Sequence, residues 1–211
     1  MGKALRAVEE ANGLADLIEL RVDYLKGVEL EKLLKAGEKP FVVTNRRRAE
    51  GGRYRGDEKS RLATLREAAD LGAAFVDVEM RTEQSLLREL IKNKNGTRII
   101  LSFHDFQKSL SGGELRKLLD RMIQHGADVA KIVTSARAWD DNLKTLALIA
   151  HARKRGQDIV TFCMGEKGKM SRIFSPFMGA AWTYASLGRT RGSAPGQLTV
   201  TEMREIWERL E

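Results

Sequence analysis

Three features of the sequence predict an α/β fold, a (βα)8 TIM barrel lacking or truncated at its first strand. Short β-branched apolar runs recur about every 25 to 35 residues, the length of a βα unit. Amphipathic helical stretches fill the intervals, and strict β-then-α alternation implies a parallel sheet covered by helices. Polar residues follow strand after strand, where a barrel carries its active face. No glycine-rich turn follows the first run, which disfavours an open dinucleotide-binding sheet. The 211 residues read as a single domain, 1–211.

The candidate strands are 17–22, 41–45, 75–79, 98–102, 129–133, 158–162 and, more weakly, 182–186. That is one strand short of a closed barrel. The chain opens on a helical pattern, 3–11, with Ala4, Leu5, Val8 and Ala11 apolar, where a barrel places its first strand. An unclosed barrel exposes strand edges, so lower stability or support from a partner chain is expected. Helix 59–71 puts Leu62, Leu65 and Ala69 on one face. Ser111-Gly112-Gly113-Glu114 is a capping box ahead of Leu115, Leu118, Leu119 and Met122. Helix 141–155 carries Leu143, Leu146 and Ile149, and Thr199 with Glu202 caps a last helix.

Composition excludes several classes of function. No apolar run reaches the length of a membrane span, and the first residues lack a signal-peptide core. The lone Cys163 rules out an internal disulfide framework and a cysteine-rich zinc module, and it suits a reducing, cytoplasmic setting. Three histidines leave little for a metal site. The net charge of +8 admits nucleic acid, but Lys and Arg alternate with Glu, as in Glu58-Lys59-Ser60-Arg61. Interleaved charge reads as a solvated, ion-paired face. Aromatic residues are too sparse to interleave with a basic patch for nucleic acid.

The chemistry lies on the strands. Lys131 sits among valine, isoleucine and alanine, and burial there would free its amine for an imine with a carbonyl substrate. An edge strand with the lysine head in solvent would give the same sequence. His104 ends its strand, at the rim where proton transfer would occur. His125 and His151 fall on helices and read as structural. Glu19, Arg21 and Asp23 share one face of the first strand at a period of two. Three charges facing a barrel interior must pair or bind a polar ligand. Arg46-Arg47-Arg48 and Glu50-Gly51-Gly52 follow the second strand; they read either as a basic patch or as an arginine clamp with a carboxylate. Asp77 and Glu79 alternate on the third strand and could orient neighbouring bases. The loops 164–172 and 192–197 look ligand-facing, the second as a lid or an ordinary turn.

Together these segments resemble type I 3-dehydroquinate dehydratase. The matching pieces are Glu19-Leu20-Arg21-Val22-Asp23, Arg46 with Glu50-Gly51-Gly52, Ser102-Phe103-His104-Asp105-Phe106, Lys131 in its strand, Met164-Gly165 through Ser171-Arg172, and Ser193-Ala194-Pro195-Gly196-Gln197. They occur in the family's order from about residue 15 onward. The resemblance implies a dimeric barrel that converts 3-dehydroquinate to 3-dehydroshikimate and water, with no metal and no dissociable cofactor. It implies Lys131 as the imine-forming amine, His104 as general base and acid, and Glu50 as its assistant. It implies Arg172 on the substrate carboxylate, with Glu19, Arg21, Arg46, Ser193 and Gln197 binding hydroxyls and closing the site. The small-molecule substrate is the expected partner, with no nucleic acid and no membrane. The alternatives are another Schiff-base lyase or aldolase, and a catalytically impaired barrel that only binds shikimate-type ligands.

Overall fold

A computed structural model describes residues 1–106 and 110–210. The chain forms two compact units, Met1–Ser102 and Phe103–Glu211. Each repeats the parallel βα alternation of the barrel class that the sequence predicts. Among the described residues no helix is long and apolar enough to cross a membrane.

The first unit opens with helix α1 (Gly2–Asn12), then strand β1 (Ile18–Arg21), a short α2 (Leu30–Lys35), β2 (Phe41–Thr44), α3 (Glu58–Asp70), β3 (Phe75–Glu79), α4 (Gln84–Lys92) and most of β4 (Arg98–His104), whose last residues, Phe103 and His104, are counted with the second unit. Each strand pairs parallel with the next, Arg21 beside Thr44, Thr44 beside Asp77, and Glu79 beside Ser102. β2 is buried on both faces, so it reads as an unbroken apolar run ending in Thr44. Asp57 caps α3 by accepting from the Ser60 amide at 2.9 Å.

The second unit carries α5 (Gly112–Gln124), β5 (Val129–Ser135), α6 (Asp141–Lys154), β6 (Asp158–Met164), α7 (Lys169–Phe174) and α8 (Val200–Glu208). Both expected capping boxes form, Ser111 with Glu114 and Thr199 with Glu202. β5 and β6 pair in parallel over seven residues, with Lys131 beside Val160 and Val133 beside Phe162. His125 caps α5 ahead of Gly126, and His151 on α6 lies 3.0 Å from Asp120.

Four expectations are corrected. Residues 182–186 form no strand; Ser186 alone bridges to Thr199, and Ala181 touches β6 through one amide bond to Ile159. A single contact point cannot build a ladder. Leu143 is 58% exposed although Leu146 and Ile149 are buried. A spacing of three drifts off a helix of period 3.6, and the inward face is instead Asn142, Thr145, Leu146, Ile149 and Ala152. Arg61 belongs to no solvated face. It is fully buried with Leu62, Leu65 and Ala68, its helical neighbours. Asp23 is not on the first strand, which ends at Arg21; Val22–Tyr24 is a 3₁₀ turn.

Candidate active site

In the first unit, charges line the ends of β1, β2 and β3, half-buried at β1 and buried at β2 and β3. Thr44 donates to Glu19 Oε1 at 2.8 Å. The 3₁₀ turn after β1 folds Asp23 back onto Arg21, whose Nε and Nη2 reach its two oxygens at 2.9 and 2.8 Å. Burial alone would lower the Arg21 pKa; the bond to Asp23 and the charges of Glu19 and Asp23 outweigh it and hold the guanidinium above its ordinary value. Arg21 and Arg53 both stack on the Tyr24 ring, at 4.4 and 4.5 Å.

Arg46 follows β2 and is 4% exposed. Its Nη2 lies 2.7 Å from Asp77 and its Nη1 donates to Ser102 at 2.6 Å. Burial would lower its pKa, but Asp77, Glu79, Glu50 and Glu19 together hold it above the ordinary arginine value. Glu50 is buried in the 3₁₀ turn Arg48–Glu50, which Gly51 ends in the left-handed conformation at φ 79°. Gly52 packs so tightly on the Arg46 backbone that a Cβ would come within 2.0 Å of the Arg46 carbonyl oxygen. Of the run Arg46-Arg47-Arg48, Arg46 is buried, Arg47 is half-buried and bound to Glu58, and Arg48 alone is exposed. Glu79 pairs with Arg61, which also holds Glu58, Thr82 and the Asn45 carbonyl. Asp77 and Glu79 thus serve arginines.

The second unit holds the remaining candidates. Thr134 and Cys163 meet Thr145 of α6, at 3.4 and 3.1 Å. That face of β5 and β6 is covered by helix. Side chains alternate along a strand, so Lys131, Val133 and Phe162 occupy the opposite face. The Asp105 amide donates to Val133 O at 2.9 Å, which sets His104 beside Val133 on the neighbouring strand. His104 and Lys131 therefore share a face, one strand and two residues apart. Lys131 is 4% exposed, which rejects the edge-strand reading. Its Nζ sits 4.2 Å from the Tyr184 ring centroid. The His104 ring stacks on Phe106, with centroids 6.4 Å apart.

Arg172, on α7, is 1% exposed and lies 4.1 Å over the Phe162 ring. Burial pulls its pKa down to about 10, against a weak opposing influence of Cys163. Its Nε and Nη2 have no hydrogen-bond partner among the described residues. A buried cation with unsatisfied donors is matched to an anion that brings its own oxygens. The turn that carries it needs Gly168, where a Cβ would meet Cys163 O at 2.4 Å.

The 192–197 loop is latched. Gly165 donates its amide to Pro195 O at 3.1 Å, and Gln197 accepts from the Ser193 amide at 2.8 Å. Ser193 is exposed and Gln197 half-buried. Among the described residues no group of three or more His, Cys, Asp and Glu side chains is arranged to hold a metal ion. Sequence reasoning missed Arg61, Phe162 and Tyr184. Arg61 was findable, because it shares the helical face of Leu62 and Leu65.

Comparison with known proteins follows the same pattern. A family model described as type I 3-dehydroquinase matches residues 1–211. The chain is 35% identical over 212 residues to a 3-dehydroquinate dehydratase of Desulfotalea psychrophila, covering 99% of this chain and 93% of that protein. It is 35% identical over 213 residues to that of Methanocaldococcus jannaschii, covering 99% and 94%. Its structure is similar to the crystal structure of type I 3-dehydroquinate dehydratase from Clostridium difficile with covalent modified comenic acid. The TM-score is 0.89 at 26% identity, over 98% of this chain and 86% of that one.

Proposed function

The chain belongs to the type I 3-dehydroquinase family, and from that premise we propose that it is a hydro-lyase converting 3-dehydroquinate to 3-dehydroshikimate through an imine on Lys131. The observation that carries the mechanism is the burial of Lys131 on the same face of the sheet as His104.

The Lys131 amine adds to the substrate ketone, and the carbonyl oxygen leaves as water. The resulting iminium draws electrons from the adjacent carbon and so acidifies its proton. His104, at the strand end, takes that proton and the enamine forms. The hydroxyl on the next carbon then leaves with a proton from the same imidazole, as water. Hydrolysis of the conjugated imine returns the lysine and releases the enone. The lysine itself is the electron sink, so these steps call on no metal or dissociable cofactor. Glu50 assists His104 in this scheme. Arg172 holds the substrate carboxylate, which its unsatisfied Nε and Nη2 support. Glu19, Arg21, Arg46, Ser193 and Gln197 bind hydroxyls and close the site. The enzyme works as one domain, 1–211, in a cytoplasmic homodimer.

Adding 3-dehydroquinate to the purified chain and following the ultraviolet absorbance of the enone tests this reading. Product from the parent chain and none from Lys131→Ala is expected. No product from the parent, or equal product from both, overturns it.

A further inference from the structure

Two buried cations of the second unit each lie on an aromatic face, and the two rings are neighbours. Lys131 Nζ is 4.2 Å from the Tyr184 centroid, and Arg172 Cζ is 4.1 Å from that of Phe162. The ring centroids are 6.2 Å apart with planes tilted by 60°. A ring face attracts a cation through its quadrupole and, unlike a carboxylate, cannot take its proton.

The geometry points to Tyr184 as a positioning residue for Lys131, whose Nζ it holds by its ring face while favouring positive charge there. The proposal rests on the Lys131 imine put forward above. In that reaction Nζ attacks as the neutral amine and becomes a positively charged iminium nitrogen once the carbonyl oxygen has left as water. The ring attracts the charge that develops in that step. An aliphatic side chain of similar size offers no such attraction. The ring is also well placed to act without moving. Phe162 packs against it, and its segment is tied down on either side. Ala181 donates to Ile159 O at 2.8 Å, and Ser186 donates to Leu198 O at 2.9 Å while accepting from Val200 at 3.0 Å.

The test compares the parent chain with Tyr184→Phe, Tyr184→Leu and Tyr184→Met, each checked for folding by circular dichroism. Two aliphatic replacements guard against one that fails to fold. Each chain is mixed with 3-dehydroquinate and borohydride, which delivers hydride to the iminium carbon and fixes a secondary amine. Adduct formation is timed by intact mass, and kcat and KM are measured separately. Tyr184→Phe keeps the ring face and is expected to trap within about twofold of the parent. Tyr184→Leu and Tyr184→Met are expected to trap about tenfold more slowly, with kcat lowered to match and KM changed by less than about threefold. Folded aliphatic variants that trap at the parent rate, or that raise KM alone, overturn the proposal. A parent chain that turns over without forming any adduct overturns the imine reading, and this proposal with it.

Discussion

Asp77 holds Arg46 once directly and once through the Ser102 hydroxyl. Its Oδ2 lies 2.7 Å from Arg46 Nη2, and its Oδ1 accepts at 2.6 Å from the Ser102 hydroxyl, which itself accepts from Arg46 Nη1 at 2.6 Å. All three side chains are buried. The arrangement fixes the guanidinium plane.

Asp77→Leu leaves Arg46 a buried cation without its closest counter-charge. Loss of one partner of such a pair is expected to cost about 3 kcal/mol of stability, read by urea denaturation at neutral pH. The double variant Arg46→Met, Asp77→Leu should recover part of that loss, because the closest pair of charges goes together and Glu79 keeps Arg61. A double variant as unstable as the sum of the two singles would contradict this.

Arg172 presents the opposite case, a buried cation kept without a protein counter-charge at hydrogen-bond distance among the described residues. Arg172→Met should raise stability by about 1 kcal/mol or more, since it removes a desolvated charge. The same change should raise KM about thirtyfold, the worth of roughly 2 kcal/mol of charge-assisted hydrogen bonding. The pH dependence has a definite sign. Burial lowers the folded-state pKa to about 10, so the penalty is full at neutral pH. It fades as the pH rises past about 10, where the folded protein releases the proton before the unfolded chain does. The stability gap between parent and variant should therefore narrow there. Denaturation curves at pH 7 and pH 10.5 measure it, and a gap that widens would refute the assignment.

Gly196 is latched against Gly165. A Cβ at Gly196 would lie 2.2 Å from Gly165 O, at a φ of +73° that side chains rarely adopt. Gly196→Ala should spring the 192–197 loop away from β6. KM is expected to rise about tenfold and cleavage by a protease at Arg191 to speed up, with the melting temperature almost unchanged. A variant with parent KM and parent cleavage rate would show that the latch has no part in holding substrate.

β2, β5 and β6 were legible because each is a run rich in β-branched residues and buried almost throughout, and the capping boxes marked α5 and α8 directly. Lys131 stood out because a lysine inside such a run is abnormal. Its burial, however, could only be seen once β6 was placed beside it. Arg172 carried no signal of its own on a six-residue helix, and its role entered through the family resemblance. Tyr184 was illegible for another reason. Its segment is neither helix nor ladder, so no periodicity marks which way the ring turns. Asp23 misled because the period of two was continued past Arg21, where the backbone turns.

Borohydride reduction of the parent chain during turnover of 3-dehydroquinate, followed by peptide mapping, tests the central claim most directly. The expected result is loss of activity with one substrate-derived secondary amine, on the peptide that contains Lys131, and no adduct in Lys131→Ala. Undiminished turnover after reduction, or an adduct mapped to another lysine, would contradict it.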